Sequence, residues 1–152
     1  MTYAGDRIIF DADSHLLELP DFLSSHADIR TKKWLPDLGA ALVGQFNPGE
    51  YVQKQGHHPD RVRELLELGD NLTRGPKWHE ALGSFNGPER GQALNLLGFR
   101  EQVVFSSFCA RLIFDPDNDL EVAYGGAAAH NRAMADFCSA DNRLIGVAMV
   151  PL

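Results

Sequence analysis

The chain has 152 residues, 44% of them hydrophobic and 23% charged, which is enough for one domain with a real core. Its 14 basic and 21 acidic residues leave a formal charge of −7. No basic cluster stands ready to neutralise phosphates, so a nucleic-acid partner is not expected. The short basic pairs, such as Lys32-Lys33, read as solvated.

The opening MTYAGDRIIF lacks an apolar stretch behind a basic start, so no secretory leader is expected there. The longest apolar run, LIGVAMV near the end, is far too short to span a bilayer, and no membrane partner is expected. Cys109 and Cys138 form no CxxC pair. They read as buried thiols in a reducing compartment, which makes a cytoplasmic protein the expectation.

In chain order, the first predicted element is a strand over Arg7–Asp13. A long link follows, rich in proline and glycine. Within it, GQFNPGEYVQKQGHHPD reads as an exposed loop. Three short helices carry proline at the start and glycine at the end: Pro59-Asp60 to Gly69, Pro76 to Gly83, and Pro88 to Gly98. The last of these is the one expected to pack on the sheet. Strand two spans Glu101–Ser106, and strand three Leu144–Val150. Between them, Leu120, Tyr124, Ala127, Met134 and Phe137 or Cys138 recur at roughly helical spacing, despite Gly125-Gly126.

The three strands are short, continuous and apolar rather than alternating. That pattern suits parallel strands covered on both faces. Strand two, helix and strand three form a βαβ unit, so the class is α/β. Three parallel strands leave two open edges, and the sequence reads as one that continues past residue 152.

The chemistry gathers in RIIFDADSHLLELPDFL. Residues two apart on a strand share a face, so Asp11, Asp13 and His15 are expected to project together from the strand's C-terminal end. That end is where parallel sheets bind ligands. Carboxylates and imidazole suit a divalent metal such as zinc or manganese. The same string also reads as a turn capped by Asp13 and Ser14, with His15 a surface histidine.

IIFDADSHLLELPDFL resembles the opening strand of the amidohydrolase-2 family, metal-dependent enzymes related to aminocarboxymuconate-semialdehyde decarboxylase. GPERGQALNLLGFREQVVFSS resembles that family's helix leading into strand two. AHNRAMADFCSADNRLIGVAMVPL resembles its next helix and third strand. About Asn47–Gly83 lies outside the resemblance. What it implies is a (β/α)8 TIM barrel, of which this chain holds the first three strands, with a long helical insertion at about residues 19–87 after strand one. Such a barrel needs on the order of 250 residues.

By the same resemblance Asp13 and His15 match the first metal-ligand pair, and Asp11 and Glu18 the acids that flank it, placed around the ligands rather than on the metal. Asp13 stands where better-understood members carry histidine or glutamate, and would coordinate directly or through a water. Glu18 also reads as a helix cap. The remaining family ligands lie on later strands. The implied activity is metal-dependent hydrolysis or non-oxidative decarboxylation of a small carboxylated or cyclic metabolite. A homo-oligomer, or a second chain completing the barrel, is the implied partner; a non-catalytic fragment that folds with such a partner is the other reading.

Other polar residues are weighed more plainly. His57-His58 reads as part of a solvated loop, His79 as packed beside Trp78, and His130 as lying outside the barrel. Ser106, Ser107 and Cys109 follow strand two, with Cys109 a candidate pocket-lining residue. Arg111 would hold a substrate carboxylate or pair with Asp115.

Overall fold

The structure is a computed structural model that describes residues 2–35, 38, 52, 53 and 56–152. The predicted loop over 44–60 lies partly outside these residues. Five strands and four α-helices appear among them: β1 Phe10–Leu16, β2 Val52–Gln53, β3 Gly56–His57, α1 Pro59–Glu67, α2 Gly87–Leu97, β4 Glu101–Ser106, α3 Cys109–Ile113, α4 Leu120–Ser139 and β5 Leu144–Gly146. Short 3-10 turns join α1 to α2, and the helix predicted to open at Pro76 is one of them, Trp78–Glu80.

The main sheet has the order β1-β4-β5, with both pairings parallel. Helix α2 leads into β4 and α4 into β5, so the α/β class and the helix–strand alternation match the sequence reading. β2 and β3 form a separate antiparallel pair.

Local signals explain the helices that carry the sheet. The Asn86 side chain accepts from the Glu89 N–H, Pro88 fits the first turn, and Gly98 closes α2 at φ 74°. The 20-residue α4 runs straight through Gly125-Gly126. There, a Cβ on Gly126 would press on Ile113 at 3.0 Å, so the glycine is the residue that lets α3 and α4 approach.

Leu16, Leu94, Val104, Met134, Phe137 and Leu144 form the core between one sheet face and α2 and α4. Each large aliphatic side chain buried there contributes roughly 1.5–3 kcal/mol. A second cluster, with Leu23, Leu38, Cys109, Ile113 and Ala129, seats α3 on α4. A third, with Leu65, Leu82 and Ala93, fixes the insertion to α2.

Two expectations are corrected. β1 begins and ends three residues later than predicted, and β5 stops at Gly146. The strands are also covered on one face only among the described residues. Phe10 and Ile145, which alternate with the buried Gln102 and Leu144 positions, are 61% and 48% exposed. Apolar composition marks a strand as able to be buried on both faces, but it cannot say what supplies the second cover. No described helix is long and apolar enough to cross a membrane.

Candidate functional site

β1 does not run evenly into its C-terminal end. Between Asp11 and Ser14 it carries three steps against the two from Gln102 to Val104 on β4, so it bulges there. The Asp13 N–H donates to Asp11 Oδ1 at 3.2 Å inside this bulge. The extra residue turns Asp11 towards the helix-covered face, where its Oδ2 accepts from Gln102 Nε2 at 2.8 Å. The expectation that Asp11, Asp13 and His15 project together is therefore corrected for Asp11.

Asp13 and His15 do meet. His15 Nε2 lies 3.5 Å from Asp13 Oδ1, with the two side chains 48% and 90% exposed. The imidazole stacks on Phe105, its partner across the sheet, with ring centres 5.7 Å apart. The pair thus stands on the sheet face that is open among the described residues, at the C-terminal end of parallel strands.

Glu18 lies fully buried, three residues on from His15. Its Oε1 accepts the N–H groups of Phe108 and Cys109 at 2.9 and 3.0 Å, so it caps the start of α3 from across the fold. Its Oε2 is buried with no hydrogen-bond partner among the described residues. Ser107 closes the same corner by donating to the Leu16 carbonyl at 2.7 Å.

Several sequence readings change here. His57 is buried rather than solvated: its Nδ1 sits 2.6 Å from Glu89 Oε2 and its Nε2 2.7 Å from the His79 carbonyl. His58 is exposed and caps α1 by accepting from the Asp60 N–H. Cys109 is fully buried instead of lining a pocket, and burial pushes its thiol far above the ordinary range. Both thiols are free. Arg111 is exposed. His79 is packed, as expected, and donates to the Glu18 carbonyl at 3.3 Å. His130 is buried on α4 with its Nδ1 3.0 Å from Asn131 Oδ1.

Burial holds both His79 and His130 below the usual histidine pKa. A base with a lowered folded pKa binds fewer protons folded than unfolded, so stability is lost as pH falls below about 6.5. Urea unfolding between pH 7 and 5 is expected to show that decline, and His130→Gln is expected to flatten it. A wild-type stability that rises on acidification would contradict it.

The residues that sequence reasoning missed are Glu89 and Arg90, at the start of α2. Arg90 Nη1 donates to Ser14 Oγ and Gln102 Oε1, its Nη2 to the His15 carbonyl, and its Nε to the Gly83 carbonyl. The guanidinium therefore fixes the backbone on which His15 sits. Gly83 has φ 72°, and a Cβ there would fall 2.4 Å from Arg90 Cα, so no side chain fits. The available signal was a charged pair, Glu89-Arg90, on a helix that had to pack against a sheet.

The donor chemistry of Asp13 and His15 fits a divalent metal, since both are exposed and adjacent. The donor count falls short of the four that zinc takes. Among the described residues, no three His, Cys, Asp or Glu side chains converge to hold an ion. Comparison with protein-family models finds no match for this chain, and comparison with curated proteins finds none either.

Proposed function

We propose that this chain forms the N-terminal part of an amidohydrolase-2-type (β/α)8 barrel, a metal-dependent hydrolase or non-oxidative decarboxylase of small carboxylated or cyclic metabolites. The observation that carries this reading is the Asp13–His15 pair at the C-terminal end of β1, on a face of a parallel sheet left uncovered among the described residues. In this reading the two side chains supply part of a coordination sphere for zinc or manganese. The other ligands come from whatever packs on that face. A bound ion would polarise a substrate oxygen or activate a water.

This chain's own residues do the positioning. Phe105 fixes the plane of the His15 ring, and Arg90 fixes its backbone carbonyl. Asp11 supports Gln102, which in turn holds Arg90. Asp11 thus acts on the site through the sheet rather than by touching the metal. Glu18 holds α3, and with it the loop after β4, at the same mouth.

The exposed Phe10 and Ile145 favour a second reading: a partner-dependent subunit of the same fold without catalysis of its own. In either case the isolated chain is expected to bind metal weakly and turn over little.

Titration of the chain with Zn2+, followed through the His15 ring signals by NMR, tests the proposal. The expected result is a shift at His15 that is weakened in Asp13→Asn and absent in His15→Gln. A His15 ring that does not respond to Zn2+, or one that responds equally in Asp13→Asn, would overturn it.

A further inference from the structure

A second feature lies at the other end of the sheet, independent of the Asp13–His15 pair. Parallel strands bring together the residues that precede each of them. Arg7 precedes β1, Arg100 immediately precedes β4, and Arg143 immediately precedes β5. The register confirms the alignment: the Arg100 N–H donates to the Ile9 carbonyl, and the Gln102 N–H to the Arg143 carbonyl. All three arginines line one cleft of about 630 Å³. In a protein of net charge −7, three guanidinium groups in one cleft run against the overall balance.

Their partners differ in a way that matters. Arg143 is anchored, with Asp141 at 2.6 Å and the Asn95 side chain and Gly91 carbonyl as further acceptors. Among the described residues, Arg7 donates only to the backbone carbonyls of Tyr3 and Ala4, at 2.8 and 3.0 Å, and lies over the Tyr3 ring. Arg100 is exposed, and its side chain makes no ion pair or hydrogen bond among the described residues. Two cations therefore face the cleft without a carboxylate partner among the described residues. Glu101 is the one acid among the lining residues, and it forms no ion pair with them.

The end of α2 does not compete for these cations. The Leu94 carbonyl accepts from Gly98 and Phe99, and the Leu97 carbonyl from Ala4. Phe99 and the 77%-exposed Ile8 give the same cleft an apolar wall. Planar guanidinium forks match phosphate oxygens, and the cleft is far larger than a bare oxyanion.

We propose that this cleft binds a small organic phosphate monoester, its oxyanion held by Arg7 and Arg100 beside the fixed Arg143 and its organic part resting on Ile8 and Phe99. The site does not depend on the metal reading of the opposite end.

Calorimetric titration of the chain with phenyl phosphate, inorganic phosphate and phenol tests it. Phenyl phosphate is expected to bind more tightly than inorganic phosphate, and phenol not at all. Arg100→Gln and Arg7→Gln are each expected to weaken phenyl phosphate by about tenfold or more. Lys32→Gln, at an exposed cation elsewhere, should leave it unchanged. Circular dichroism checks that each variant is folded. No phenyl phosphate binding at millimolar concentration overturns the proposal. So does binding that ignores Arg100→Gln, or that Lys32→Gln weakens as much.

Discussion

Arg90→Met is expected to remove about 4 kcal/mol or more of folding stability, because each buried acceptor left bare costs about 1–3 kcal/mol. Four acceptors depend on this one side chain: Ser14 Oγ at 2.7 Å, Gln102 Oε1 at 3.1 Å, and the His15 and Gly83 carbonyls at 2.7 and 2.5 Å. All four are neutral. The cation is only 8% exposed, and burial lowers its pKa to about 10, against the opposing pull of Asp11. Burial thus works against the charge, and the hydrogen bonds offset it. Natural domains carry roughly 5–15 kcal/mol in all, so this loss consumes much of the margin. Arg90→Lys keeps the charge but lacks the fork, so an intermediate loss is expected. Urea unfolding measures both. A loss under about 1 kcal/mol in Arg90→Met would mean that the acceptors find water or other partners.

Glu89→Ala is expected to cost about 3 kcal/mol or more, because three groups bond to its carboxylate and each buried one left bare costs about 1–3 kcal/mol. His57 Nδ1 lies 2.6 Å from the Glu89 carboxylate and Nε2 2.7 Å from the His79 carbonyl, so both ring nitrogens are engaged inside the protein. Neither side chain is open to water, with 0% and 8% exposure. Glu89 also accepts the His57 N–H at 2.8 Å and the Gly83 N–H at 3.3 Å, which ties the insertion to α2. Because an apolar pair of similar size can replace a buried hydrogen-bonded pair at little cost, His57→Phe with Glu89→Leu should be more stable than Glu89→Ala alone. A double variant as unstable as the sum of its parts would contradict the pairing.

These two residues show where the sequence stops being legible. α2 and α4 could be read because their signals are local: an Asn86 cap, Pro88, Gly98, and helical spacing from Leu120 to Phe137. The parallel pairing of β4 with β5 followed from the helix between them. That Asp13 and His15 meet was legible for the same reason, the two being two apart near a strand end. Asp11 was not, since the bulge that turns it depends on how β1 pairs with β4. The role of His57 was hidden because its carboxylate lies 32 residues away, and a glycine-flanked histidine looks like a loop until Glu89 is placed beside it. Glu18 was read as a flanking acid or a cap; the helix it caps starts at Cys109, far along the chain. That one sheet face is left uncovered among the described residues could not be foreseen either, because apolar strands look alike whether one face or two is covered.

The metal content of the protein purified from its native source without chelators, wild type beside His15→Ala, tests the central claim most directly. The expected result is about one divalent ion per completed barrel, lost in the variant. A metal-free native protein, or one whose metal survives His15→Ala, would contradict the assignment of Asp13 and His15 as ligands.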